Sequence, residues 1–586
     1  MRPAQTTQAT AAQDRPERPE RHYKWVALSN TTLGMLVATV NSSIVIISLP
    51  AIFRGIHLDP LRPGNVTYLL WMLMGYLVAT AVLVVTFGRL GDLLGRARVY
   101  NAGFLVFTVA SIALALTPST GTAGALELIG FRVLQGVGGA ALFANSTAIL
   151  TDAFPVDQRG AALGVNQVAA LAGQFIGLVV GGALAGTSWR AVFWLSVPLG
   201  VIGTVWGYLR LRDPQRRGRV HLDWAGNLTF ALGLIMVLTA ITFGIQPYGG
   251  HVMGWTSPKV LLLLAGGVLT LAAFVAVERR APDPLFDLGL FRIRAFGAGN
   301  LAGLLASLSR GGLQFMLILW LQGIWLPLHG YSFAQTPLWS GIYMLPLTVG
   351  FLLAGPVSGY LSDRHGARAY ATGGMLLAAA TFVALLLLPV DFPYPLFGAV
   401  LLLAGVGSGL FAAPNTTAIM NSVPASQRGA ASGMRATFQN AGFVISIGVF
   451  FSLMIAGLAA RLPVTMYAGL TGNGVPPGPA RTIAHLPPVG SLFAAFLGDN
   501  PMGTLLGPGL LGRLSPAQAG RLTGKVFFPQ LISAPFKHGL VVVFLAAAAM
   551  SLVAALASWL RGGRYVHEEQ HLPGAAPGDV DQELPA

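Results

Sequence analysis

Long apolar runs alternate with short polar and basic segments along most of the chain. A helix needs about 20 apolar residues to cross the hydrocarbon core of a bilayer. Fourteen runs fit a span, near residues 25–53, 67–87, 99–117, 124–150, 160–185, 190–209, 224–246, 258–277, 295–325, 337–357, 369–390, 395–421, 428–460 and 537–560. The pattern therefore predicts an all-α integral membrane protein with fourteen transmembrane helices and both termini on one face.

Composition supports a membrane protein and excludes several other classes. Charged residues make up 10% of the chain, against about 25% in a typical soluble domain. The formal net charge is +15, but the basic residues lie mostly between apolar runs. They therefore indicate topology and contact with anionic membrane lipid, and no nucleic-acid partner is expected. The absence of cysteine excludes disulfides and Cys-based zinc sites, and no cofactor or metal is expected.

The distribution of basic residues predicts the orientation. The loops on the side of the termini are rich in arginine. They carry Arg89, Arg96, Arg98, Arg212, Arg216, Arg217, Arg219, Arg279, Arg280, Arg292, Arg294, Arg364, Arg368 and Arg428. The loops on the other side hold few basic residues, chiefly Arg54 and Arg62. The positive-inside rule then places both termini in the cytoplasm of a cell (inner) membrane. We expect a cytoplasmic N-terminal tail over 1–24 and a disordered cytoplasmic tail over 561–586. Residues 461–536 form a predicted extracellular loop with partial, interfacial helix.

An internal repeat predicts two related halves. The segment NSTAILTDAFPVDQRGAALG (145–164) matches NTTAIMNSVPASQRGAASG (415–433), an offset of 269 residues at Gln158 and Gln427. Eight spans separate the matched elements, so two six-helix bundles flank an extra helix pair. The predicted division is an N-terminal bundle over 25–210, a linker with two extra spans over 211–294, and a C-terminal bundle over 295–560. Paired halves with a site between them are typical of alternating-access carriers.

The segment GRLGDLLGRAR (88–98) resembles the signature between helices 2 and 3 of the major facilitator superfamily. Gly88 and Gly95 allow a short turn, and Asp92, near a helix N-terminus, can meet Arg96 one turn on. Leu93 departs from the family pattern, where a basic residue is usual. The resemblance implies a cytoplasmic gate formed by these residues, with Asp363 as the repeat partner of Asp92.

Two further segments resemble the fourteen-helix drug:proton antiporter branch of that superfamily. FRVLQGVGGAAL (131–142) is similar to the helix-4 motif, in which Arg132 is tied to proton coupling and Gln135 follows one turn later. GQFIGLVVGG (173–182) is similar to the helix-5 glycine motif through Gly173, Gly177, Gly181 and Gly182. Leu178 stands where the family usually has proline, which weakens this second match.

Helix 1 departs from the family pattern at Asn41, where the resemblance implies an aspartate. An asparagine side chain does not titrate, so another group must carry the proton. We hypothesise that Glu127 is this group and that Arg132 sets its pKa. The alternative is that Glu127 is an interfacial acid at the outer surface.

Several polar side chains on the expected inner helices are candidates for the substrate cavity, namely Asn41, Gln135, Gln167, Arg310, Gln314, Arg435 and Gln439. Arginines without nearby acids favour an anionic or zwitterionic substrate. The alternative is that Arg132, Arg310 and Arg435 pair with Glu127, carbonyls or lipid phosphate as part of the structure.

The predicted function is secondary active, multidrug-type efflux of a small amphipathic substrate by proton-coupled antiport. The alternative is a carrier or flippase for an anionic or lipid-like solute that uses an Arg-lined cavity and is not necessarily proton-driven. A membrane sensor in this fold is a third interpretation, but the tails are too short for a signalling domain. No enzyme motif is present, and the expected oligomeric state is a monomer.

Overall fold

The protein is all-helical in the computed structural model, which describes residues 22–59, 64–213, 223–282, 284, 286–424, 427–497 and 500–562. Within these ranges a single β-bridge joins Tyr248 and His251 and closes a turn. Fourteen described helices are long and apolar enough to cross a membrane. The predicted fold class and number of spans are therefore confirmed.

The helices are numbered in chain order. The first thirteen are spanning helices: α1 (Tyr23–Gly55), α2 (Asn65–Leu94), α3 (Arg96–Leu116), α4 (Gly121–Ala153), α5 (Val156–Ala185), α6 (Ala191–Arg210), α7 (Trp224–Gly244), α8 (Pro258–Glu278), α9 (Arg294–Leu328), α10 (Thr336–Ser362), α11 (Ala367–Leu387), α12 (Tyr394–Asn421) and α13 (Arg428–Ala459). Five short helices follow: α14 (Leu462–Gly472), α15 (Pro477–Ala484), α16 (Pro488–Leu497), α17 (Met502–Leu511) and α18 (Pro516–Leu522). The last span is α19 (Phe527–Leu560).

The packing of the spans repeats from one half to the other. In the N-terminal half, α1 packs on α5, α2 on α4, and α3 on α4 and α6. In the C-terminal half the same positions pair: α9 packs on α13, α10 on α12, and α11 on α12 and α19. The extra pair α7 and α8 pack on each other, and α7 also contacts α2 and α13. Two six-helix bundles and an added pair are therefore present, as the internal repeat predicts.

With fourteen spans, the first and last described residues lie on one side, which we call the terminal face; the other side is the opposite face. The assignment of the terminal face to the cytoplasm stays a prediction. The predicted tails over 1–24 and 561–586 fall mostly outside the described ranges. Arg561, predicted to begin the second tail, is buried and donates from Nη2 to Asn415 Oδ1 at 2.7 Å. Burial lowers the pKa of Arg561 to about 10, so the side chain remains charged at neutral pH.

The segment predicted as a long loop over 461–536 is largely helical. Its last turns belong to α19, which begins at Phe527 although Pro529 and Pro535 lie in its first three turns. Proline is tolerated in the first turn of a helix, and the apolar packing of α19 carries the helix past Pro535. The start predicted at residue 537 is therefore ten residues too late.

Helix α16 is buried between the two halves. Leu492, Phe493 and Ala494 are at most 1% exposed, and the Phe493 ring lies 4.7 Å from that of Phe451 on α13. The helix contacts α1 and α2 of the N-terminal half, and α13 and the π-helical turn Leu321–Trp325 of the C-terminal half. A piece of the predicted extracellular loop thus fills the opposite-face end of the interface.

Candidate functional site

Arg132 on α4 is the buried cation at the centre of the N-terminal half, with 2% of its surface exposed. Its Nη1 donates to Asn41 Oδ1 at 2.5 Å and to Gln135 Oε1 at 2.6 Å, and its Nε donates to the Met72 carbonyl at 3.3 Å. The guanidinium lies 4.6 Å from the centre of the Tyr76 ring. A desolvated cation is costly in a membrane protein. The hydrogen bonds to these acceptors and the cation–π contact with the ring offset that cost for Arg132.

A second layer of hydrogen bonds fixes these acceptors. Asn41 Nδ2 donates to Ser196 Oγ on α6, and Gln135 Nε2 donates to Ser111 Oγ on α3, both at 2.8 Å. No described carboxylate forms an ion pair with Arg132. Asn41 and Gln135 are fully buried, so in this structure they are partners of Arg132 instead of walls of a substrate cavity.

Glu127 lies on α4 near the opposite face. Its Oε1 accepts a hydrogen bond from the Ser119 hydroxyl at 2.6 Å, and its Oε2 is buried with no partner among the described residues. Glu127 and Arg132 form no ion pair in the described part of the chain, because the donors of Arg132 turn toward Asn41 and Gln135. The hypothesis that Glu127 carries the proton stays a prediction.

The helix-5 glycines form a close contact between α5 and α1. Three of them, spaced by four residues, share one helix face, and a Cβ added to any of them would collide with α1. The contacts are Gly173 with Leu36, Gly177 with Val40, and Gly181 with Ile44. Small residues at such a seam let two membrane helices approach closely.

Gly182, the fourth glycine, lies at the interface between the halves. A Cβ on Gly182 would lie 2.6 Å from the backbone of Leu338 at the start of α10. A Cβ on Gly341 of α10 would lie 3.0 Å from the Leu178 carbonyl and 3.3 Å from Val179 Cα. The ends of α5 and α10 therefore close the interface near the opposite face.

Glutamines connect the halves deeper in the bundle. Gln174 Nε2 on α5 donates to Gln314 Oε1 on α9 at 3.0 Å. Gln322, in the π-helical turn, donates to Ser340 Oγ at 3.0 Å and lies 3.5 Å from the Ile47 carbonyl of α1. The predicted cavity residue Gln314 thus lies at the junction of the two halves, whereas Gln167 on α5 is exposed.

Charged side chains cluster at the terminal face. Arg96 binds Asp92 at 2.7 Å and Asp152 of α4 at 2.8 Å, so the predicted contact between Asp92 and Arg96 is present. Asp92, however, belongs to the last turn of α2. The carboxylate at the N-terminus of α3 is Asp213, whose Oδ1 accepts from the Ala97 amide at 2.7 Å.

The turn between α2 and α3 requires one of the two predicted glycines. Gly95 has φ +106°, a conformation that favours glycine. Gly88 lies inside α2, and a Cβ there would meet only Ala144 Cβ at 3.9 Å. The cluster around Arg96 joins α2, α3 and α4 of one half. A role as a gate between halves stays a prediction, and the Asp363 side chain is outside the described set.

A cavity of about 60 Å³ lies inside the C-terminal half. Its polar lining includes three predicted side chains, Arg310, Arg435 and Gln439, together with Asn300 and Asn415. Arg435 Nη1 donates to Gln439 Oε1 at 3.1 Å. Of the seven predicted cavity residues, Asn41 and Gln135 belong to the Arg132 network, and Arg310, Arg435 and Gln439 line this cavity. Gln314 and Gln167 belong to neither place.

Sequence reasoning missed Ser111, Ser196 and Asp213. Each serine is a small polar residue within an apolar run, a weak signal because serines are common in membrane helices. Asp213 directly follows the sixth span, where a carboxylate near a helix N-terminus could have been considered.

Comparison with known proteins identifies the relatives of the chain. The family model described as Major Facilitator Superfamily matches residues 31–277 and 222–447. The tetracenomycin C resistance and export protein of Streptomyces glaucescens is 29% identical over 91% of this chain and 90% of its own length. The cephamycin export protein of Amycolatopsis lactamdurans is 32% identical over 76% of this chain and 84% of its own length.

The fold is also shared with a solved structure. A bacterial homologue of the human lysosomal transporter Spinster, in an inward-facing and unoccupied conformation, aligns with TM-score 0.54 and 16% identity. The alignment covers 92% of this chain and 98% of the other. At this identity the likeness concerns the fold alone.

Proposed function

Since the chain belongs to the Major Facilitator Superfamily, we propose that it exports small amphipathic compounds in exchange for protons by alternating access. The match confirms the family predicted from the motifs, and the protein is a membrane transporter and not an enzyme. Relatives are named as export proteins for tetracenomycin C and cephamycin. Their names support efflux of small molecules.

The observation that carries the proposal is the way the halves meet. At Gly182 and Gly341, α5 and α10 touch through backbone and small side chains, with no covalent link and no disulfide because the chain has no cysteine. Each half also has its own repeated helix packing. Two such bodies can rock about a central site, as alternating-access carriers do. In the proposed cycle, the conformation with the opposite face closed is the one that loads substrate from the terminal face.

The proton route in this proposal begins at Glu127. Acids in the described spans lie mostly at the terminal face, as Asp92, Asp152 and Glu278 do, whereas Glu127 lies near the opposite face. Its buried, unpartnered Oε2 can accept a proton that enters from that side. A carboxyl group placed there suits exchange of an entering proton for a leaving substrate.

Transport in proteoliposomes tests the proposed function. We would supply rhodamine 123, an amphipathic cation, and rhodamine 110, its free carboxylate, outside vesicles with an acidic interior. Exchange for protons predicts that whichever dye is a substrate accumulates above the level in protein-free vesicles, and only while the pH gradient lasts. Accumulation that persists after a protonophore and a potassium–proton exchanger have collapsed the gradient would contradict proton coupling.

Replacing Glu127 with glutamine should separate gradient-driven transport from exchange. Glu127→Gln keeps the size and the acceptor for Ser119 but cannot be protonated, so we expect gradient-driven accumulation to fall about tenfold or more. Dye-for-dye exchange without a gradient should continue, and Glu127→Asp serves as the titratable control. Gradient-driven transport at the wild-type rate in Glu127→Gln would assign the proton to another group.

A further inference from the structure

The cavity in the C-terminal half contains two arginines, and no acidic side chain is among its described lining residues. Its wall is formed by α9, α11, α12 and α13, and the sequences of these four helices contain no aspartate or glutamate. Between residues 294 and 560 the acids are Asp363, Asp391 and Asp499. The side chains of Asp363 and Asp499 are outside the described set. Asp391 is not part of the cavity lining, and its Oδ1 lies 3.4 Å from His329 Nε2. The two cations therefore share this space without a protein counter-charge from the described residues.

The hydrogen-bonding capacity of the two arginines is largely unused. Arg435 Nη1 donates to Gln439, but its Nε is buried with no partner in the described structure. Arg310 has no hydrogen bond or ion pair within the described ranges, and its guanidinium lies 5.8 Å from the centre of the Phe351 ring. A guanidinium presents its donors in a planar fork that matches a carboxylate or another oxyanion.

Arg132 in the other half shows the contrast. Asn41 and Gln135 each accept a hydrogen bond from it, and the Met72 carbonyl accepts a third. Its stabilisation is therefore built into the protein. Arg310 and Arg435, in contrast, retain donors without described acceptors that a ligand could use.

The cavity adjoins the interface between the halves. Gln314 lies one helical turn after Arg310, on the same face of α9, and it accepts the hydrogen bond from Gln174 of the N-terminal half. The volume of about 60 Å³ is several times the ~10–15 Å³ that a cavity needs to hold one water molecule. That space suits a small charged group of a ligand.

We propose that Arg310 and Arg435 bind a negatively charged group, a carboxylate or a similar oxyanion, on the transported compound. The substrates are then anionic or zwitterionic amphiphiles, and the positive cavity selects them against purely cationic ones. This inference rests on the proposed export function and names its substrate class.

Binding to the purified protein tests the charge selectivity directly. Rhodamine 110 carries a free carboxylate, and rhodamine 123 is its methyl ester, so fluorescence anisotropy of the two dyes isolates the effect of one negative charge. We expect rhodamine 110 to bind about tenfold more tightly, because charge-assisted hydrogen bonds are among the stronger ones. Arg310→Gln and Arg435→Gln should each remove that preference, while rhodamine 123 binding changes little.

Two matched variants control the measurement. Arg310→Lys keeps the charge and should retain part of the preference for rhodamine 110. It replaces Arg310→Gln as the test variant if the glutamine variant fails to fold. Arg294→Gln removes an exposed charge from the terminal-face end of the same helix and should leave the preference intact. Equal binding of both dyes by the wild type, or an unchanged preference in both glutamine variants, would overturn the proposal.

Transport of the same dyes distinguishes this inference from the export function. If a pH gradient drives both dyes equally, the export function stands and the anion site is refuted. If neither dye moves but rhodamine 110 binds tightly in an Arg310-dependent manner, the anion site stands and export of this dye class is refuted. Faster transport of rhodamine 110 that is lost in Arg310→Gln supports both.

Discussion

Cross-linking Val179 to Gly341 is expected to stop transport completely and reversibly. The two residues belong to α5 and α10, and Val179 Cα lies 3.3 Å from the position a Gly341 Cβ would occupy. A Cα atom this close to a neighbouring Cβ brings the two backbones within the reach of a disulfide, whose Cα atoms lie about 4.4–6.8 Å apart. A bond there would hold the opposite face closed. Since each cycle requires that face to open, we expect at least about a 100-fold fall in dye transport after oxidation.

The absence of native cysteine makes this experiment clean. The oxidised Val179→Cys/Gly341→Cys variant is compared with each single cysteine variant under the same oxidant, and with itself after dithiothreitol. Reduction should restore the rate of the unoxidised pair. Undiminished transport by protein that is fully cross-linked would show that α5 and α10 do not separate during the cycle.

Replacing Arg132 with alanine is expected to reduce transport by about 100-fold. The substitution leaves three buried acceptors without their donor, on Asn41, Gln135 and Met72. A buried unsatisfied group costs about 1–3 kcal/mol, and a cost of about 2.7 kcal/mol on one state of the cycle corresponds to about 100-fold. The rate of dye counterflow at matched protein amounts measures the effect.

Neighbouring substitutions separate the charge of Arg132 from its geometry. Arg132→Lys keeps the charge but lacks the planar fork that reaches several acceptors. Its rate of dye counterflow should therefore lie between those of the wild type and Arg132→Ala. Asn41→Asp keeps an oxygen toward Arg132, and the Ser196 hydroxyl can rotate to donate to it. We therefore expect Asn41→Asp to fold and to raise the thermal unfolding temperature, whereas Asn41→Leu lowers it. Dye counterflow at the wild-type rate in Arg132→Ala would show that the Arg132 network has no role in the transport cycle.

The spans could be predicted because lipid imposes a simple rule on sequence. Each run long enough to cross the bilayer is a helix in the structure, and most ends differ by only a few residues. The exceptions involve tertiary contacts that composition does not encode. Helix α19 continues through Pro535, and α16 is buried between the halves although prolines and glycines surround it in the chain.

The candidate site could be predicted residue by residue but not as an arrangement. The helix-4 motif pointed to Arg132, and the departure at Asn41 stood out against the family pattern. Their 2.5 Å contact joins residues far apart in the chain, and a single sequence carries no information about such pairing. For the same reason the sequence alone groups Asn41 and Gln135 with Arg310 and Arg435, whereas the structure places the two arginines in the C-terminal half.

Proton movement triggered by substrate is the most direct test of proton-coupled exchange. Proteoliposomes with an acidic interior and an entrapped pH indicator would receive rhodamine 110 from outside. Coupled exchange predicts that the dye raises the internal pH as it enters, and that Glu127→Gln removes the pH change while dye exchange continues. Entry of the dye at the same rate without any change in internal pH would contradict proton coupling and leave facilitated transport as the function.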